Sequence, residues 1–217
     1  MAAAKKNNET EPLVPSGATL AQLRDLAQEC KACKLYRTAT QAVLGEGPSR
    51  ARIVMVGEQP GDKEDLAGKP FVGPAGGLLS RALEEAGIDR SDVYITNAVK
   101  HFKFEERGKR RIHKKPSDSE IAACRPWLEA EVARIQPDII VCLGGTAARA
   151  VIGKQHRVLR DRGRFFEHPM ARYVTATVHP SAILRAPEPD QRRADYQAFV
   201  TDLIGVRQRL EKVARAH

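Results

Sequence analysis

RIVMVG, Arg52–Gly57, is a short apolar run that ends on glycine, and Glu58-Gln59-Pro60-Gly61-Asp62 follows at once. A run of this length without alternation predicts a strand buried on both faces. Three more runs share the pattern: VYITNA (Val93–Ala98), DIIVCLG (Asp138–Gly144) and YVTATV (Tyr173–Val178). Between and around them lie stretches with helical spacing. The spacing predicts helices over Leu20–Ala39, Leu78–Ala86, Ser117–Arg134, Thr146–Ile152 and Asp190–Ala214. Ser117 with Glu120 forms a capping-box pattern, and Gly87 marks a helix stop. Strand–helix alternation predicts an α/β fold with a parallel sheet. In such sheets the loops beyond the carboxyl ends of the strands form the ligand crevice. Three unusual segments occupy those positions: Gly57–Gly77, whose glycines and prolines argue against regular structure, Asn97–Lys115 and His179–Arg185.

The 217 residues suit one compact domain, expected over 18–217 behind a disordered polar tail at 1–17. A chain of this size buries roughly 70% of its unfolded surface, so no disulfide framework is needed. No apolar stretch approaches the ~20 residues of a membrane span, and the N-terminus has no apolar signal core. These features predict a cytoplasmic protein with no membrane partner. Low aromatic content gives no evident dimer patch, so a monomer is expected. A net charge of +9 predicts a polyanionic partner. The excess is concentrated: residues 100–115 carry eight basic and two acidic side chains, a net +6. A solvated basic loop accounts for that run equally well.

The chemistry-bearing residues cluster at the predicted strand ends. Glu58 follows the first strand, where a carboxylate can act as a base or orient a partner. Phe71 lies among glycines and prolines with little regular structure to bury in, and can offer a face for base stacking. Asn97 ends the second strand, and its carboxamide offers one donor and one acceptor side. His179, at the end of the fourth strand, can donate to an oxygen that becomes charged during reaction. His113, inside Lys109-Arg110-Arg111-Ile112-His113, stands among cations that disfavour its protonation, so a neutral nucleophilic imidazole is expected. Each residue also has an ordinary structural reading as a turn, core or phosphate-contacting side chain. Cys30-Lys31-Ala32-Cys33 with Cys124 and Cys142 offers four soft thiolates, and spacing alone leaves zinc and an iron–sulfur cluster equally open.

In combination and order, GEQPGDKED (57–65), GKPFVGPAGG (68–77), ITNAVKHF (95–102) and HPSAILR (179–185), with the spaced cysteines, resemble the iron–sulfur uracil-DNA glycosylases of the family 4 type. The likeness runs from about Ala18 to Gly205. Gln59 and the inserted KRRIH of 109–113 match the UdgX branch. The resemblance implies a three-layer α/β/α sandwich around a four-stranded parallel sheet. It implies a [4Fe–4S] cluster on Cys30, Cys33, Cys124 and Cys142, with a structural role. It also implies uracil-containing DNA, single- or double-stranded, as partner, and association with the nucleoid of a bacterial-type cell through that DNA. The base site would comprise Gly57, Gln59, Phe71 and Asn97, and the catalytic groups Glu58, His113 and His179. Phosphates would meet Arg107, Lys109, Arg110, Arg111 and Arg185. In the UdgX branch His113 captures the sugar carbon and leaves the protein covalently bound to DNA. A turnover glycosylase, a non-enzymatic DNA-binding module and a small-molecule nucleotide hydrolase remain open at this level.

Overall fold

A computed structural model describes residues 14–15 and 17–215. The tail expected at 1–17 thus lies almost wholly outside the described residues. The elements run α1 (Leu20–Gln28), β1 (Ile53–Gly57), α2 (Asp62–Ala67), α3 (Pro74–Glu85), β2 (Val93–Asn97), β3 (Phe104–Arg107), β4 (Arg110–His113), α4 (Asp118–Ile135), β5 (Ile139–Leu143), α5 (Gly145–Val151), α6 (Val158–Asp161), β6 (Phe166–His168), β7 (Ala171–Thr177), α7 (Pro180–Leu184) and α8 (Pro189–Ala214).

The central sheet has strand order β2-β1-β5-β7-β6. The first four strands are parallel and are the four apolar runs read from the sequence. A fifth, antiparallel edge strand, β6, corrects the four-stranded expectation. Its three residues, Phe-Glu-His, carry no apolar run, and two of them are exposed, so hydrophobic patterning does not mark it.

Alternate strand residues enter two cores. Val54, Val56, Tyr94, Ile140, Cys142 and Val174 pack under α1, α4 and α5. Ile53, Met55, Val93, Ile95, Ile139 and Val141 pack under α3 and α8. The result is the expected three-layer sandwich. The Ser117–Glu120 capping box opens α4 as predicted. Helix α1 ends eleven residues before its expected limit at Ala39. The amides of Glu29 and Cys30 bond three residues back, tightening the last turn, and a 3₁₀ turn follows at Lys34–Arg37. Gly57–Gly77 holds more regular structure than its composition suggests: α2 ends on Gly68 at φ +68°, and α3 starts on Pro74.

Order of strands fixes where a ligand can enter. From β1 the chain crosses to β2 on one side, whereas β5 leads to β7 on the other. The crevice of such a sheet lies outside the carboxyl ends of the two strands that part company, here β1 and β5.

Candidate active site

That crevice is a cleft of about 1110 Å³, lined among others by Glu58, Gln59, Phe71, Asn97, His113, Thr146, His179 and Arg185. The three loops singled out in the sequence therefore do converge.

Glu58 leaves β1 at the switch point and is joined to β5's side by Thr146, whose hydroxyl donates to Glu58 Oε2. Thr146 lies in the first turn of α5 and is buried. The other carboxylate oxygen, Oε1, is 3.5 Å from His113 Nε2. His113 ends β4, opposite Phe104 in a hairpin. Burial holds its pKa below the ordinary 6.5, and the Arg185 charge adds to that, while Glu58 and Glu64 oppose it. The expected direction stands, but desolvation leads, and the cation concerned is Arg185 rather than the neighbours in KRRIH.

The basic loop expected over 100–115 is this β3–β4 hairpin. Gly108, at φ +60°, makes its turn. Strand signals were hidden because five of the eight strand residues are charged. Gln59 clasps the foot of the hairpin. Its Nε2 donates to the carbonyls of Lys103 and Lys114, each at 3.1 Å, and its Oε1 accepts from the Lys103 amide at 3.3 Å. These bonds occupy both ends of the carboxamide, so Gln59, which also lines the cleft, clamps the strand that ends in His113. Arg111 is likewise engaged within the protein. It bonds Asp62 at 2.5 Å and buried Asp65 at 2.7 Å, and lies over the rings of Phe102 and Phe104. It latches the hairpin to α2. Arg107 pairs with Glu105 at 2.6 Å. Lys109 and Arg110 are exposed at the turn with no ion pair among the described residues.

His179 caps α7. Its Nδ1 accepts from the Ser181 amide at 3.1 Å and lies 2.8 Å from the Ser181 hydroxyl. An acceptor at Nδ1 places the proton of a neutral ring on Nε2. Burial, aided by the Arg185 and His113 charges, lowers the pKa to about 4. The helix cap thus fixes a neutral imidazole with Nε2–H as its remaining donor.

Phe71 sits 5.7 Å from the His179 ring, centroid to centroid, at φ +56°, a conformation that costs a bulky residue of order 1–3 kcal/mol. Glycines hold it there. A Cβ on Gly76 would fall 1.6 Å from the Phe71 carbonyl oxygen, and one on Gly57 would fall 2.9 Å from its ring and 2.3 Å from Asn97 Oδ1. Gly57 therefore serves the base site by omission: its bare Cα lets the Asn97 carboxamide and the Phe71 ring close over β1.

The cysteines divide three to one. Burial raises the pKa of Cys33 and that of Cys124, the latter to about 12, and in each case the neighbouring thiols of the Cys30, Cys33 and Cys124 trio add a smaller push. Trp127 donates to Cys30 Sγ at 3.2 Å, and the Lys100 amide to Cys124 Sγ at 3.1 Å. Cys142 is wholly buried in β5 between Val56 and Ala176, and burial alone raises its pKa. Cys33 and Cys124, by contrast, also feel the thiols beside them. Among the described residues no three His, Cys, Asp or Glu side chains form the tight shell of a single ion. Three neighbouring thiols, Cys33 half-buried and the other two buried, still suit a larger, multinuclear centre. One residue after Lys100, whose amide reaches Cys124, the chain carries the buried imidazole of His101.

Sequence reading missed Thr146, His101 and the buried pair Lys100–Glu131. Only the last left a mark, as a lysine directly after VYITNAV. The cleft geometry agrees with the comparisons to known proteins. Residues 44–204 match the model of the uracil DNA glycosylase superfamily. A type-4 uracil-DNA glycosylase of Thermotoga maritima is 42% identical over 167 residues, 76% of this chain and 83% of that protein. One from Saccharolobus solfataricus is 38% identical over 173 residues, 76% and 77% of the two chains. A type-5 uracil-DNA glycosylase of Thermus thermophilus is 30% identical over 160 residues, 64% and 68%.

Proposed function

The chain belongs to the uracil-DNA glycosylase superfamily, and on that premise we propose that it excises uracil from DNA and then joins itself through His113 to C1′ of the deoxyribose, as in the UdgX branch. A uracil within DNA must first leave the stack, at a cost of roughly a few kcal/mol. Phe71 stacks on the extruded ring. The Asn97 carboxamide accepts from N3–H and donates to O4. Cytosine has the opposite polarity at both atoms, and each buried mispairing costs about 1–3 kcal/mol.

As the C1′–N1 bond breaks, its electron pair leaves with uracil, and charge develops on O2. The Nε2–H of His179 donates to that oxygen, an interaction that strengthens toward the transition state. C1′ becomes cationic. A ring nitrogen of His113 gives its lone pair to C1′, and the imidazolium so formed is stabilised by Glu58 before its remaining N–H proton is lost to the carboxylate or to solvent. Holding the imidazole beside C1′ gives it an effective concentration that bulk water does not reach. The observation that carries this reading is the approach of His113 Nε2 to Glu58 Oε1, 3.5 Å, inside the cleft that also holds Phe71, Asn97 and His179.

The test is one denaturing gel of protein with a uracil-containing oligonucleotide, with His113→Ser alongside. A heat-stable retarded band for the unaltered protein alone is expected. Alkali-labile DNA without such a band would instead make this a turnover glycosylase, in which Glu58 orients water. Type-4 relatives at 38–42% identity favour that second reading. Lys109, Arg110 and Arg185 are the cations proposed to meet DNA.

An iron–sulfur cluster is proposed on Cys30, Cys33 and Cys124, with His101 as fourth donor in place of Cys142. When bound it would pin α4, the Cys30–Cys33 turn and the start of the hairpin segment together. Cys142→Ser should keep the iron content and visible absorbance of the purified protein, and His101→Ala should diminish both. Bleaching by Cys142→Ser would restore the four-cysteine set.

A further inference from the structure

Lys100 is 1% exposed and its partner Glu131 is 0% exposed. Lysine and glutamate are almost never fully buried unless paired. A buried ion pair is often no more stabilising than apolar side chains of the same volume, so stability alone does not account for it. What the pair touches is more telling. Lys100 Nζ donates to Glu131 Oε2 at 2.5 Å, to the Thr96 hydroxyl at 2.8 Å and to the carbonyl oxygen of Asn97 at 2.7 Å. All three ammonium donors are used. Glu131 in turn accepts from the Gly45 amide, the Tyr94 hydroxyl and the Thr96 hydroxyl. The pair therefore stands directly behind the last two residues of β2, where the strand delivers Asn97 to the cleft. From the same residue the main-chain amide reaches Cys124 Sγ at 3.1 Å.

Beyond β2 the chain continues beside the Glu58 loop, the Ala98 and Val99 amides bonding the carbonyls of Gly57 and Glu58. These bonds fix one edge of the Asn97 peptide. The ammonium of Lys100 fixes the other, by gripping its carbonyl. With both edges held, the carboxamide keeps the orientation on which donor–acceptor reading of a base depends.

We infer that Lys100, itself held by Glu131, is a positioning residue for base recognition, which locks the Asn97 peptide and ties it to the Cys124 end of α4. The inference rests on the reading of Asn97 as the residue that contacts uracil. Lys100→Met alone would leave Glu131 a buried unpaired anion and endanger folding. The variant to use is Lys100→Met with Glu131→Gln, since glutamine retains an acceptor for Gly45 and Tyr94 and a donor for Thr96. The measurement is uracil excision in a double-mutant cycle with Asn97→Ala. Loss of about tenfold in the single-turnover excision rate is expected where Asn97 is present and less than about twofold where it is alanine, because only the asparagine is being oriented. A role confined to stability would lower both backgrounds equally, and that result overturns the inference. A crystal structure of the Lys100→Met/Glu131→Gln protein gives a readout independent of substrate. A turned or split Asn97 carboxamide is expected, and an unchanged one overturns the inference. If the unaltered protein leaves uracil DNA intact, the glycosylase reading fails, whereas the orientation of Asn97 in that structure still decides whether Lys100 holds it.

Discussion

Two histidines with lowered pKa values divide the work of the cleft by how their protons are held. His179 has its Nδ1 committed to the α7 cap and stays neutral down to about pH 4. His113 is held below 6.5, by burial first and then by Arg185. A neutral nucleophile is lost as pH falls through its own pKa. The rate of adduct formation should therefore be flat above pH 6.5 and decline only below it, following His113, while His179 remains a neutral donor throughout. Single-turnover capture measured from pH 8 to pH 4.5 checks this, and a midpoint at or above 6.5 would contradict it. At this scale much was legible. Glu58, Phe71, Asn97, His113 and His179 stand in the sequence at strand ends or in the segments that follow them, and meet in one cleft. The intramolecular bonds of Gln59 and Arg111 were not legible, because a side chain's type does not say which way it turns. Their real partners, the Lys103 and Lys114 carbonyls and the Asp62 and Asp65 carboxylates, lie 44 to 55 residues away for Gln59 and 46 to 49 for Arg111.

The β3–β4 hairpin is the element on which the proposed covalent capture would depend, because it alone carries His113. Three devices hold it: the Gln59 clamp at its foot, the Arg111 latch to α2, and the stacking of Phe102 on Phe104 at 5.1 Å. Basic residues on one short ribbon consequently do two different things, and substitution separates them. Arg111→Met leaves buried Asp65 without its cation, although the Thr40 amide still bonds it. Loss of about 1–3 kcal/mol of stability is expected, with a fall in capture larger than the fall in uracil release, since only capture needs the hairpin in register. Lys109→Ala and Arg110→Ala should leave stability nearly unchanged. Each phosphate contact so removed should lower the salt dependence of DNA binding by roughly 0.9 in log–log slope. Equal salt slopes for the Arg111 and Lys109 variants would deny the latch. The hairpin was invisible to hydrophobic patterning for the reason that makes it useful: its strands face charged groups and solvent, so binary alternation carries no information there. The parallel strands, buried on both faces, were legible nearly to the residue for the opposite reason.

Across the whole molecule, burial of imidazoles couples the cleft to acid stability. His113, His156, His168 and His179 all have pKa values lowered chiefly by desolvation. The native state refuses protons that the unfolded chain accepts near pH 6.5. Unfolded chains then bind more protons than native ones, and stability falls as pH drops below 6.5. The window for His179 extends to about pH 4, and its shift is worth up to roughly 3 kcal/mol at the bottom of that window. Carboxylates act in the same direction but later. Asp161, held at about 2 chiefly by the Arg160 hydrogen bond, supplies stability that is present above pH 3.8 and lost only as pH falls toward 2. Acid unfolding should therefore begin in the histidine window, before Asp161 titrates. Urea midpoints measured between pH 8 and pH 4 should be level to about 6.5 and then decline. In His179→Asn the carboxamide oxygen can still accept from the Ser181 amide and cap α7, yet it carries no titrating proton. Its decline should be shallower than that of the unaltered protein, and identical slopes would show that the imidazole proposed to serve the leaving base is not the one that makes the fold sensitive to acid.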